Sequence, residues 1–215
     1  MTGSVRSASL AVAVMSAVLL HGDVQASADG SRGGVGWSAI GAPAGMDELV
    51  GLVVRRLLLA DEVAAAKLAD GRPIDDPARE RRLLDAVAAE SARAGLPPED
   101  GVRFFRAQIE AGKRVQRGLH ARWRAHPELR PRRHADLATE IRPRLDRLTP
   151  RLLRLLKETA PVRASVGRCW AASAAARLDV EARTGLDRLH RDALDAALVP
   201  LCARSGRARQ GMPGS

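Results

Sequence analysis

The sequence predicts an all-α, single-domain protein, a bundle of about six helices. Three observations lead there. Of 215 residues, 46% are hydrophobic but only 2% aromatic, so the core has to come from Ala, Leu and Val, which suit packed helices better than sheets. Apolar residues recur at helical spacing through most of the chain. Neither an internal repeat nor strand–helix alternation is visible.

Taken in order, residues 1–28 read as a signal peptide: Arg6 is the positive n-region, Leu10 to Leu20 the apolar core, and Ala26-Ser27-Ala28 an A-x-A site with cleavage expected after Ala28. The apolar run is too short for a stable membrane span. Residues 29–45 are rich in Gly, Ser and Pro and read as a flexible leader. The helical domain is expected over 46–204, followed by a polar, disordered tail at 205–215.

The first helix is predicted from Asp47, as cap, to Ala69, with Leu49, Leu52, Val53, Leu57, Ala60 and Val63 on its inner stripe. Arg72-Pro73-Ile74-Asp75 should be extended, because residues before proline avoid the α region. The second helix opens with Asp76 as cap and Pro77 in its first turn, buries Leu83, Leu84, Val87, Ala88 and Ala92, and ends at Gly95. A third runs from Pro97-Pro98 to about Ala125, its contacts drawn from Phe105, Ile109, Val115, Leu119 and Trp123. Gln108, Gly112 and Gln116 form a second, non-hydrophobic stripe on it, at i, i+4 and i+8. The fourth begins between Asp136 and Arg142, with Pro143 marking its start and Pro150 a bend, and reaches Thr159. Pro161 interrupts; a fifth helix spans Val162 to Thr184 and a sixth Leu186 to Cys202.

Export determines how the cysteines are read. Cys169 and Cys202 are the only two, so in an oxidising compartment a disulfide between them is the default, pinning the last two helices as an antiparallel pair. Two cysteines and scattered histidines do not make metal-ligand spacing, so no metal is expected. The formal charge is +10, carried mostly by arginine, since Lys67, Lys113 and Lys157 are the only lysines. Such a balance raises nucleic acid or an anionic surface as partners. The arginines are spread along every helix without an aromatic platform, which argues against nucleic acid.

The chemistry is narrowed by what is missing. There is no Gly-rich phosphate loop, no G-x-S-x-G and no H-E-x-x-H. That leaves positioning and electrostatic stabilisation, with no cofactor. Arg56 and Lys67 are eleven residues apart in an apolar run, nearly a whole number of turns, and so share one face at about 16 Å along the axis. With Arg79 and Glu80 at the next helix start, they would suit a compact dianion.

The run Arg56…Lys67…Asp76-x-x-Arg79-Glu80, followed by Gln108-Ile109…Lys113…Gln116, resembles the helical chorismate mutases. The signal peptide, the Arg-x-x-Leu-Asp segment from Arg142 and the two late cysteines are similar to their secreted, gamma-type branch. The resemblance implies conversion of chorismate to prephenate, in aromatic amino-acid biosynthesis, by an intramolecular Claisen rearrangement. It implies that Arg56, Arg79 and Arg142 hold the substrate's carboxylates and that Lys67 and Gln116 donate to its ether oxygen. Glu80 and the backbone at Asp76 would receive the ring hydroxyl, with Glu80 also orienting Lys67. Neighbouring Arg144 is an alternative to Arg142. Relatives often carry a small polar residue where this chain has Gly112, and some secreted ones carry Glu in place of Gln116. A homodimer with each site inside one chain is implied, as is a secreted or periplasmic location. Alternatives are removal of pyruvate from isochorismate on the same fold, or a non-catalytic exported helical protein that binds anions.

Overall fold

The computed structural model describes residues 45–202, and all 158 are accounted for by helices and short connections, with no strand among them. The signal-peptide, leader and tail expectations fall outside this range, apart from Gly45. The helices are α1 (Met46–Ala69), α2 (Pro77–Ala94), α3 (Pro98–Ala125), α4 (Arg142–Glu158), the single turn α5 (Ala160–Arg163), α6 (Val166–Thr184) and α7 (Arg188–Leu198).

α1 is the axis of the bundle. Twelve of its 24 residues are buried, from Met46 to Ala66, and it packs against α3, α4, α6 and α7. A helix surrounded in this way has to be apolar on most faces, which explains the long Leu/Val/Ala run. Its cap differs from expectation. Gly45 precedes the first turn at φ 95°, without a side-chain cap, and Asp47 lies within that turn, beside Glu48, where both favour the positive end of the helix dipole. Asp76 caps α2 as expected, accepting from the Arg79 N–H at 3.1 Å, and Gly95 closes it in the left-handed region. On α2 the buried positions are Val87 and Ser91, whereas Ala92 faces solvent. α3 carries the core aromatics: Phe104, not anticipated, is buried edge-on against Phe105 with ring centres 5.6 Å apart.

The start of α4 is settled by chemistry at Asp136 and Pro143. The Asp136 carboxylate accepts from the Ala138 and Thr139 N–H groups, opening a π turn over Leu137–Ile141, and the regular helix begins at Arg142, placing Pro143 where its missing N–H costs nothing. Pro161 does not begin a long helix. It sits in α5, and an extended Ser165 separates that turn from α6, four residues later than predicted. The last helix likewise starts at Arg188, capped by Asp187, and finishes in a 3₁₀ turn over Val199–Leu201.

Cys169 and Cys202 form the expected disulfide, Cα–Cα 5.5 Å. It does not zip an antiparallel pair, because α6 packs mainly on α1 and α7 mainly on α3. The bond therefore joins the first turn of α6 to the chain just past α7. Among the described residues, no helix is long and apolar enough to cross a membrane.

Candidate active site

Four elements meet at one cleft. α1 contributes Arg56, Ala60, Val63 and Lys67, one face at i, i+4, i+7 and i+11; α2 contributes Asp76, Arg79, Glu80 and Leu83. α3 presents Gln108, Ile109, Gly112, Lys113 and Gln116, and α4 closes the end with Leu145 and Asp146. The apolar patches (Ala60, Val63, Ile74, Leu83, Ile109 and Leu145) alternate with cations. Of the predicted site residues, all but Arg142 line this cavity.

Arg142 is nevertheless close. Its charge lowers the pKa of both Lys67 and Arg79, and its Nε is buried with no hydrogen-bond partner. Arg144 points elsewhere, donating to Glu62 beside Leu58 and Leu148. Between the two arginines, the geometry therefore favours Arg142.

Arg56 lies over the Phe105 ring, 5.5 Å from its centre. Burial lowers its pKa to about 10; Asp146 acts against that, and Arg79 adds to it. Arg79 is also lowered, first by burial and then by Arg142, and its nearest carboxylate is the largely exposed Asp146 at 3.8 Å. Lys67 is lowered by burial, with Asp76, Asp75 and Glu80 opposing and Arg142 adding. Three neighbouring cations, each destabilised by burial and by a like charge, gain the most from an anion that enters between them.

Lys67 is aimed by a backbone group. Its ammonium donates to the Ile74 carbonyl at 2.5 Å, in the irregular Arg72–Asp75 connection, which bends at Ile74. Glu80 was expected to perform that task but is engaged elsewhere. Its carboxylate accepts from the Asp76 N–H at 3.3 Å and pairs with Lys113 at 3.0 Å. The Asp76 backbone is committed on both sides, since its carbonyl accepts from the Glu80 N–H at 2.9 Å; a carbonyl can accept a second bond. Gln116 is buried, donating from Nε2 to the Gly112 carbonyl at 3.1 Å, while its Oε1 has no partner. Gln108 lines the cleft, yet its amide is spent on the Ala197 carbonyl at 3.0 Å and so ties α3 to the end of α7.

Two participants were not given a role by sequence reasoning. Asp146 is the counter-charge for Arg56 and Arg79, and its place four residues after Arg142 was the available signal. Lys113 is the other. Burial works against its charge, but hydrogen bonds to Glu110, Glu80 and Asp75 outweigh that and hold its pKa above the ordinary lysine range. Among the described residues no cluster of His, Cys, Asp and Glu could hold a metal ion.

Comparison with known proteins points one way. The family model for chorismate mutase type II matches residues 47–117, the stretch holding α1, α2 and most of α3. The secreted chorismate mutase of Mycolicibacterium smegmatis is 32% identical over 72% of this chain and 84% of its own length. The crystal structure of chorismate mutase from Burkholderia thailandensis superposes with a TM-score of 0.71 at 37% identity, covering 74% of this chain and all of that one. Its counterpart from Burkholderia phymatum gives 0.70 at 36% identity, over 75% and 100% of the two chains.

Proposed function

The chain belongs to the chorismate mutase family, in its secreted branch, and from that premise we propose how its cleft converts chorismate to prephenate. The reaction is an intramolecular isomerisation. The ether C–O bond breaks as a C–C bond forms, with no net proton or electron transfer, which accords with a cleft lined by no Ser, Thr, Cys or His among the described residues. Arg56, Arg79 and Arg142 bind the two carboxylates and fold the side chain over the ring. The planar guanidinium suits carboxylate, whereas the compact ammonium of Lys67 suits a single oxygen. Lys67 and the second N–H of the Gln116 amide donate to the ether oxygen as it gains charge, and Glu80 receives the ring hydroxyl. Gly112 leaves that part of the wall without a side-chain contact to the substrate.

The observation that carries this reading is the placement of Lys67 and Gln116, from α1 and α3, on one cleft flanked by arginines. The magnitudes suffice. Even a modest enzymatic acceleration needs about 8 kcal/mol. One donor aimed at developing charge contributes about 3 kcal/mol, and holding the reactive conformer can contribute much of the rest. No observation favours pyruvate removal from isochorismate or a non-catalytic role.

The resemblance to the secreted branch implies a homodimer with each site built within one chain, a reading that sedimentation of the full chain would test. Relatives named as secreted enzymes support export, with release of residues 1–28 and a periplasmic or extracellular product. The deciding assay is chorismate consumption with product identification, on the parent and on Lys67→Ala. The parent should form prephenate. The variant should lose roughly 100-fold or more in kcat while keeping its melting temperature. A parent that forms no prephenate, or a variant as active as the parent, would refute the assignment.

A further inference from the structure

Among the described residues, Lys113 is the one cleft cation for which the proposed chemistry has no task. It projects from α3 next to Gly112, is 8% exposed, and lines the same cavity as Lys67 and Gln116. Its ammonium meets three carboxylates: Glu110 at 2.7 Å, Glu80 at 3.0 Å and Asp75 at 3.1 Å. Exposed ion pairs contribute little, and Asp75 and Glu110 are more than half exposed; the pair with Glu80, the least exposed of the three carboxylates, is screened least.

Two of those partners belong to the start of α2. Asp75 is also gripped by Arg117, whose Nη2 donates to its oxygens at 2.9 and 3.0 Å. α3 thus holds the Ile74–Glu80 segment with two cations, and that segment supplies the Ile74 carbonyl that aims Lys67. The electrostatics point the same way. Glu80 lies near enough to Lys67 for its charge to act on it, yet the ammonium of Lys67 is turned to Ile74 and one Glu80 oxygen to Lys113. Were Lys113 absent, that half-buried oxygen would lack a counter-charge, and Lys67 is the cation at hand. An ammonium paired with a carboxylate is a poorer stabiliser of negative charge forming on a substrate oxygen, because the two fields cancel.

We propose that Lys113 is a positioning residue for the rearrangement: it holds the Glu80 carboxylate against α3, Asp75 being held by Arg117 as well, so that Lys67 keeps its charge for the ether oxygen. This rests on the mutase reading of the cleft. The test compares kcat and KM separately for the full chain and for Lys113→Met, Lys113→Arg, Glu80→Gln and Lys113→Met/Glu80→Gln, with melting curves alongside. Lys113→Met should lower kcat by about tenfold or more with KM within about threefold, and Lys113→Arg should recover most of it. In the double variant, loss of Lys113 should cost nothing beyond Glu80→Gln, because the displaced carboxylate is no longer there. A Lys113→Met kcat within about twofold of the parent, or losses that multiply in the double variant, overturns the proposal. If Lys113→Met melts at the assay temperature, Lys113→Gln is put through the same cycle and judged by the same criteria. A parent that forms no prephenate overturns the mutase reading and this inference with it, a result distinct from both.

Discussion

Replacing Gln116 with glutamate tests the mechanism more sharply than deleting it, because the new side chain can donate only when protonated. Gln116 is 7% exposed, with its amide nitrogen on the Gly112 carbonyl and its remaining N–H available to the cleft. An amide donates at any pH, so the parent should hold its kcat from about pH 5 into the mildly alkaline range. A carboxyl ionises near pH 4.3 in the absence of perturbation. Above that value the protonated fraction falls tenfold per pH unit, so at pH 7.5 the donor is present in roughly one molecule in a thousand. That is a loss of about 4 kcal/mol, the upper end of what one donor to developing charge contributes. Chorismate consumption measured from pH 4 to 9 should give a flat parent and a variant whose log kcat descends with slope −1. A parent that loses kcat steeply above about pH 5, or a variant as flat as the parent, would show that Gln116 is not a donor to the reacting oxygen.

Two further predictions concern stability. Closing a loop of 33 residues should make the Cys169–Cys202 disulfide worth about 3–4 kcal/mol by chain entropy, so reduction should lower the melting temperature by about 10 °C. Activity at low temperature should survive, since neither cysteine lines the cleft; an unchanged melting curve under reductant would refute this. His190 on α7 is held by Asp61 at 2.9 Å and Asp187 at 2.6 Å, and these bonds, that to Asp61 foremost, raise its pKa from 6.5 to about 9 against the opposing effect of burial. A raised histidine stabilises the fold fully below pH 6.5, and that contribution is lost as pH rises through about 9. The shift corresponds to about 3 kcal/mol at most, and to about 1–2 kcal/mol once the half-exposed carboxylates are allowed for. His190→Gln should therefore melt several degrees below the parent at pH 6, with the gap closing by pH 10. A gap that does not change with pH would rule out the charged pairing.

Much of the fold was legible because its signals are local. The Asp76-Pro77 start and Gly95 stop of α2 are set by side-chain capping and by a left-handed residue, and both act within a few positions. What could not be read was which element shields which. Ala92 looks like a core residue by spacing and faces water, while Ser91 beside it is buried because α3 approaches so closely at Gly101, where an added Cβ would lie 2.1 Å from the Ser91 hydroxyl oxygen. The late start of α6 was hidden for another reason. Pro161 is compatible with the first turn of a helix, and only the extended backbone at Ser165 shows that the turn is not continued.

The candidate site divides along the same line. Spacing alone put Arg56 and Lys67 on one face and Gln108, Gly112 and Gln116 on another, because helical periodicity says what shares a surface. It does not say which charge neutralises which. Glu80 sits one turn from Asp76 and near Lys67, yet it goes to Lys113, whose other partners are Asp75 and Glu110. Gly112 makes the same point from the opposite side. A Cβ there would meet Ala60 and Gln116 at 3.9 Å, ordinary contact, so packing does not require glycine. A small polar side chain would fit, and its absence leaves the wall to Gln116, whose amide is steadied by the Gly112 carbonyl instead. The pairing of Glu80 with Lys113 is therefore a contact between α2 and α3 that only the folded chain brings together.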